Sequence, residues 1–257
     1  MTKSNWLIFS SALIGSTSVA GAVQAQDMVS SYVDFGVGSY RDVDYSYVIG
    51  SARVRTDSPF SFQIDAMAGA MDGDFAGGLT THGIWELDDN WQVGAFATAM
   101  KSESGGGSTA KQIGLEGVYS SGSYEVLGYF GQQYDFQEGT FGGIAITAFP
   151  FEDLSVGIEH SFDSVTDGTT SLSLEKRFGS ASNSYSLYTN AGYVHDTEKW
   201  SVEAGFRIYF GNSSRRDFVS RGFSGSAVSP RMMPNQFRNF MQAAAKQTQV
   251  YNDTVVE

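Results

Sequence analysis

The chain has 257 residues, with 28 acidic side chains against 16 basic ones and no cysteine. Without cysteine there is no disulfide and no thiolate metal site, and three histidines leave little for a transition-metal centre. A formal charge of −12 argues against nucleic acid as a partner.

The first 25 residues read as a secretory signal. Lys3 is the positive start, Trp6 to Ala22 is uncharged and apolar or small, and Val23-Gln24-Ala25 puts small residues at the −3 and −1 positions of a cleavage site. Cleavage after Ala25 leaves Gln26 as the mature N-terminus. The rival reading, an uncleaved anchor, suits this run poorly because it is short and rich in Ser and Gly. No later run approaches the ~20 apolar residues of a membrane helix.

From there the spacing predicts about twelve strands, over 29–40, 45–56, 60–70, 75–87, 91–100, 110–119, 124–134, 140–149, 154–162, 169–178, 185–194 and 200–210. The third alternates Phe60, Phe62, Ile64, Ala66 and Ala68 with Ser61, Gln63, Asp65 and Met67; the fifth alternates Trp91, Val93, Ala95 and Ala97 with Gln92 and Gly94. Asp72-Gly73, Gly105-Gly106-Gly107, Ser121-Gly122, Glu138-Gly139 and Asp167-Gly168 mark turns between them. The longest connection, 101–109, is too short to fold inward as a constriction. Aromatic residues fall near strand ends, at Tyr32, Tyr40, Phe60, Trp85, Trp91, Tyr119, Phe149, Phe162, Phe178, Tyr185, Trp200 and Phe210. Such placement suits two girdles at membrane interfaces. A soluble all-β barrel or sandwich would use the same period, but it gives no reason for aromatic ends.

The last strand is the clearest. Trp200, Val202, Ala204, Phe206, Ile208 and Phe210 alternate with Ser201, Glu203, Gly205, Arg207 and Tyr209. The pattern Gly205-x-x-Ile208-x-Phe210 resembles the closing-strand signal of bacterial outer-membrane β-barrels, a broad porin-like class. The resemblance covers residues 1–210 and implies an antiparallel transmembrane barrel of about twelve strands in a Gram-negative outer membrane. It implies outer-membrane lipid, lipopolysaccharide and the barrel-assembly machinery as partners. An even strand count places both ends of the barrel in the periplasm. The chain departs from the class by continuing for 47 residues beyond Phe210.

Charges that alternate with lipid-facing residues must point inward, because one at the bilayer midplane costs about 2–4 kcal/mol. Phase therefore assigns Asp34, Arg53, Arg55, Asp65, His82, Glu116, Glu159, Glu175, Arg177, Glu203 and Arg207 to the lumen, with Gln63, Glu86 and Gln92 beside them. Two roles compete. The charges can pair and fill a closed barrel, or an excess of carboxylates can favour cations in a narrow pore for small hydrophilic solutes.

An outer-membrane hydrolase is a third reading. It is weakened because His160 and Ser161 are adjacent, so they face opposite sides of one strand, and because His195-Asp196 reads as a lone pair in a turn. No catalytic residue, cofactor or metal centre is predicted. Asp42/Asp44, Asp72/Asp74 and Asp163/Asp167 on the outer turns are either solvated or weak Ca²⁺ bridges to lipopolysaccharide.

Residues 211–257 form a separate tail. From Asp27 to Phe210 there are 25 acidic and 9 basic residues, a net of −16; from Gly211 to Glu257 there are 3 and 6, a net of +3. Residues 211–234 read as a Ser-, Gly- and Arg-rich linker. Over 235–250, Phe237, Phe240, Met241 and Ala244 recur at helical spacing after Pro234. The tail is expected in the periplasm, drawn to the acidic barrel mouth by an attraction that salt screens, and not as a permanent plug.

Overall fold

The computed structural model describes residues 28–40, 43–103, 107–135, 138–163, 168–179 and 184–211, together with Phe240. The signal segment and the rest of the tail, including the helix expected over 235–250, lie outside the described residues.

Twelve strands follow one another: β1 (Met28–Tyr40), β2 (Val43–Arg55), β3 (Phe60–Met71), β4 (Asp74–Glu86), β5 (Trp91–Ser102), β6 (Ser108–Ser120), β7 (Tyr124–Asp135), β8 (Gly139–Phe151), β9 (Leu154–Asp163), β10 (Thr169–Gly179), β11 (Ser184–Val194) and β12 (Lys199–Gly211). Each pairs antiparallel with the next, and β12 returns to pair with β1, so the sheet is a closed barrel. The closing register runs from Ser30↔Gly211 to Tyr40↔Ser201. Closure leaves no sheet edge, so every strand finds backbone partners on both sides.

Period two decides the faces. Along β5 the exposed positions are Trp91, Val93, Ala95, Ala97 and Ala99, and the buried ones are Gln92, Phe96, Thr98 and Met100. The exposed face is the outside of the barrel, and its middle is apolar: Ile64, Leu79, Ile113, Leu115, Phe130, Ile144, Ile158, Leu172 and Val202 are all exposed. Outward charges keep toward strand ends. Lys101 pairs with Glu103 at 3.3 Å, Lys111 with Asp135 at 2.9 Å, and Lys176 with Asp153 at 2.7 Å.

The end of the barrel that holds Met28 and Gly211 carries a girdle of rings. Phe60 meets Phe62 edge-on at 4.6 Å, Trp91 lies 4.9 Å from Tyr119, and Phe178 stacks on Tyr185 at 5.6 Å. At the far end Tyr193 lies 5.3 Å from Trp200. Three of the aromatics assigned to the girdles by position belong elsewhere. Tyr32 and Tyr40 are buried on the inner face, and Phe149 shares the inward phase of Ala145 and Thr147. Their phase relative to Asp34 and Thr147 decides this, whatever their distance from a strand end.

Connections are short at both ends, none longer than five residues. Asp72 and Gly73 have φ of 50° and 90°, the two positive values that a two-residue hairpin requires. The connection expected over 101–109 shrinks to 103–107, because β5 and β6 pair as far as Ser102↔Ser108. No loop is long enough to reach into the lumen.

All twelve strands and the β1–β12 ladder lie within residues 28–211. A chain ending after Gly211 is therefore expected to fold and to migrate faster without boiling than after it on a denaturing gel. Failure of that shift would show that closure needs residues beyond β12.

Candidate functional site

The inner wall is built from the polar phase of each strand, and hydrogen bonds gather its charges into groups. The first group joins β1, β10 and β12. Arg207 donates to Asp34 Oδ2 from Nη2 at 2.6 Å and from Nε at 3.0 Å, and from Nη1 to Glu175 Oε2 at 3.2 Å. The Tyr209 hydroxyl donates to the other oxygen of Glu175. The Arg177 guanidinium lies over the Tyr209 ring, 3.6 Å from its centroid. Each carboxylate faces a cation or a hydroxyl, which offsets its removal from water.

The second group spans β2 to β5. Arg53 reaches Glu86 at 3.0 Å, Ser61 at 2.9 Å and Gln92 at 3.5 Å. The third joins β3, β4 and β6: His82 Nε2 sits 3.0 Å from Asp65, and Nδ1 sits 2.9 Å from Glu116. Gln63 donates to both oxygens of Asp65 at 3.0 and 3.1 Å. Two smaller groups are tyrosine-led. Tyr45 and Tyr47 donate to Glu203 at 3.2 and 2.9 Å, and Tyr129 donates to Glu159 at 3.2 Å.

Every one of these contacts joins strands no more than three apart around a ring of twelve. A barrel of this strand number is about 24 Å across between opposite backbones, from a strand spacing near 4.8 Å and a tilt near 40°. The bonds run along the wall and do not bridge the diameter.

The structure places Asp34, Arg53, Asp65, His82, Glu116, Glu159, Glu175, Arg177, Glu203 and Arg207 on this wall, all between 0% and 6% exposed. Arg55 continues the phase of Arg53, and its side chain lies outside the described residues. Of the closing-strand residues, Ile208 and Phe210 point outward and Gly205 inward, where it faces the Tyr188 ring. Counting described side chains, nine inward carboxylates (the six above with half-buried Glu86, Glu125 and Asp163) face three arginines. All three arginines lie within four residues of the strand limits at the Gly211 end.

His160 and Ser161 do face opposite sides: Ser161 is buried and His160 is exposed, 3.0 Å from Thr170. His195 lies 2.9 Å from the same hydroxyl, so the two histidines share a threonine on the outside of the far rim. Among the described residues no three His, Asp or Glu side chains gather as metal ligands.

The polar phase also carries apolar side chains that the assignment of charges passes over. Ile84, Phe96, Val118, Leu127, Tyr129, Phe141 and Ala145 form one buried cluster on β4 to β8. A second includes Tyr40, Tyr45, Tyr47, Met71, Met100 and Phe240. A signal for the tyrosines was present. The β1–β2 register pairs Gly36 with Tyr47 and Gly38 with Tyr45. A Cβ on either glycine would collide with the tyrosine ring, so each ring lies flat on backbone that only glycine leaves open.

The fold is that of the porin-like outer-membrane β-barrels. No family model matches the chain, and no curated protein matches it in sequence. Among solved structures it is similar to a KdgM porin, at 11% identity and a TM-score of 0.55, over 68% of this chain and 97% of that one. It is similar as well to a KdgM porin in complex with disordered oligogalacturonate, at 12% identity and a TM-score of 0.54, with the same coverage.

Replacing Arg207 with Met leaves Asp34 buried without its cation and Glu175 facing Arg177 at 3.9 Å. The expected loss of stability is about 3–5 kcal/mol, read as a lower urea midpoint in detergent. Adding Asp34→Asn and Glu175→Gln to that variant should recover part of the loss. Equal stability of Arg207→Met and the parent chain would show that the ion pairs contribute nothing net.

Proposed function

We propose that residues 1–25 are an export signal and that the mature chain sits in a Gram-negative outer membrane, with the Gly211 end in the periplasm. There it lets small hydrophilic solutes diffuse through the lumen and prefers cations. The support for the membrane is the exposed apolar middle of the outer face, flanked by rings at both ends. The support for the channel is the run of polar bonds along the wall, with nine described carboxylates against three arginines. An acidic surplus lining a narrow, low-dielectric passage raises the local concentration of cations.

The solved porin complex holds an oligogalacturonate, which is a polyanion. Likeness of fold does not carry that ligand here, because a wall rich in carboxylates repels it. A second reading has one observation in its favour. The inward charges are almost fully buried, as they are in a closed barrel whose interior serves stability alone.

Planar-bilayer current under a KCl gradient separates the two. A channel of this kind should show a reversal potential of the sign set by K⁺, and Glu159→Gln with Glu203→Gln should move it toward zero. An anion-set potential would overturn the electrostatic argument. Absence of current both from the full chain and from one ending after Gly211 would establish the closed barrel.

A further inference from the structure

The chain leaves β12 at Gly211, at the end of the barrel where β1 begins. Phe240 is helical, 4% exposed, and belongs to a buried cluster whose other members are all inward residues of the wall. Most of those members lie toward the opposite end: Tyr40 closes β1, Met71 closes β3, Val194 closes β11, Met100 nearly closes β5, Ala76 and Ala110 are the third residues of β4 and β6, and Tyr45 and Tyr47 lie in the first half of β2. Ala76, Ala110 and Val194 are each 0% exposed. Small side chains near the mouth of a hollow barrel about 24 Å across would meet solvent. Here they do not, and Phe240 is the one described residue of the cluster that does not belong to the wall.

We propose that the C-terminal segment carrying Phe240 docks inside the barrel it follows, entering through the Gly211 mouth, with Phe240 anchored in a tyrosine and methionine collar in the far half of the lumen. The 29 residues that follow Gly211, up to and including Phe240, reach this depth with slack. A coil of that length spans about 30 Å, and the barrel's apolar band is about 25 Å tall. A route outside the barrel would take Arg215, Arg216, Arg221 and Arg231 through lipid, where each is strongly disfavoured. The route through the lumen takes them past a wall with more carboxylates than arginines. Spacing puts Phe237, Met241 and Ala244 on the helical face of Phe240, so the anchor is one ring of a longer apolar stripe.

Tyrosine and methionine suit such an occupant. Tyr45 and Tyr47 offer ring faces while their hydroxyls stay bound to Glu203, and methionine adapts its shape to a ring. Since no connection between strands can fold inward, the tail is the element of this chain that can narrow the passage. That consequence rests on the channel reading, whereas the docking does not.

The chain has no cysteine, which makes thiol cross-linking clean. Met241→Cys keeps Phe240 in place and is combined in turn with Met71→Cys, Met100→Cys and, near the Gly211 mouth, Ser186→Cys. A short bismaleimide added to the full mature chain in membranes should link the thiol of Met241→Cys to the first two positions several-fold more than to the third. Phe240→Asp in the same backgrounds should reduce the links to background, because a carboxylate in the collar has no cation. Links to Ser186→Cys alone, links insensitive to Phe240→Asp, or no links would overturn the docking. In bilayers, Phe240→Asp and the chain ending after Gly211 should each carry several-fold more current than the full chain. Links at the predicted positions with no current from any of the three would leave the docking standing and remove the channel reading. Current with no links would do the reverse.

Discussion

Everything in this structure depends on the pairing of β1 with β12. Eleven register pairs, from Ser30↔Gly211 to Tyr40↔Ser201, turn a twelve-stranded sheet into a ring. In a hydrocarbon environment an open edge would expose a row of unpaired N–H and C=O groups, each costing several kcal/mol. Closure removes both edges at once. It also creates an inside, and only then can charged residues alternate with apolar ones along the same strand at little cost. Asp34 and Arg207 show the connection. They face each other across the closing ladder, so the pair that joins the sheet is one of the tightest ion pairs on the wall.

The inside that results is not uniform. Its basic side chains stand near the Gly211 end, its carboxylates spread through the middle, and its aromatic and sulfur-bearing side chains concentrate toward the far end. From the far end inward, phenol rings and Glu203 come before any described arginine. A chain entering from the near side meets the arginines first, within a wall that remains acidic in total. Direction of approach therefore matters in this lumen, although the strands around it are nearly equivalent in length.

The strands were legible because one rule, period two, governs both the ladder and the burial. Their limits were less so. β2 begins at Val43 and β6 at Ser108, each two residues earlier than the hydrophobic pattern suggests. Pairing continues past the point where side chains need to be apolar, so backbone register and membrane thickness end at different residues. The charged residues of the wall could be read from phase alone. Ile84, Phe96 and Met100 share that phase, but an apolar residue on a polar face carries no mark in the sequence that says whether it packs, lines or merely fills. Phe240 was harder still. Charge balance directed attention to the near mouth and to a salt-screened attraction. The burial of Phe240 rests instead on an apolar ring meeting an apolar collar, and that collar is assembled from several different strands.

The order of the strands has a kinetic consequence. Eleven of the twelve pairings are hairpins between neighbours in sequence, with connections of five residues or fewer. Each can form locally, at low cost in chain entropy. The twelfth must bring together two strands separated by most of the chain, and a loop of that length costs on the order of 5 kcal/mol to close. Folding then resembles a zipper that runs freely in either direction and stops one tooth short of a ring. The last tooth sets the pace, and until it engages both terminal strands present long unpaired edges, which is when such a chain is most exposed to pairing with a neighbour.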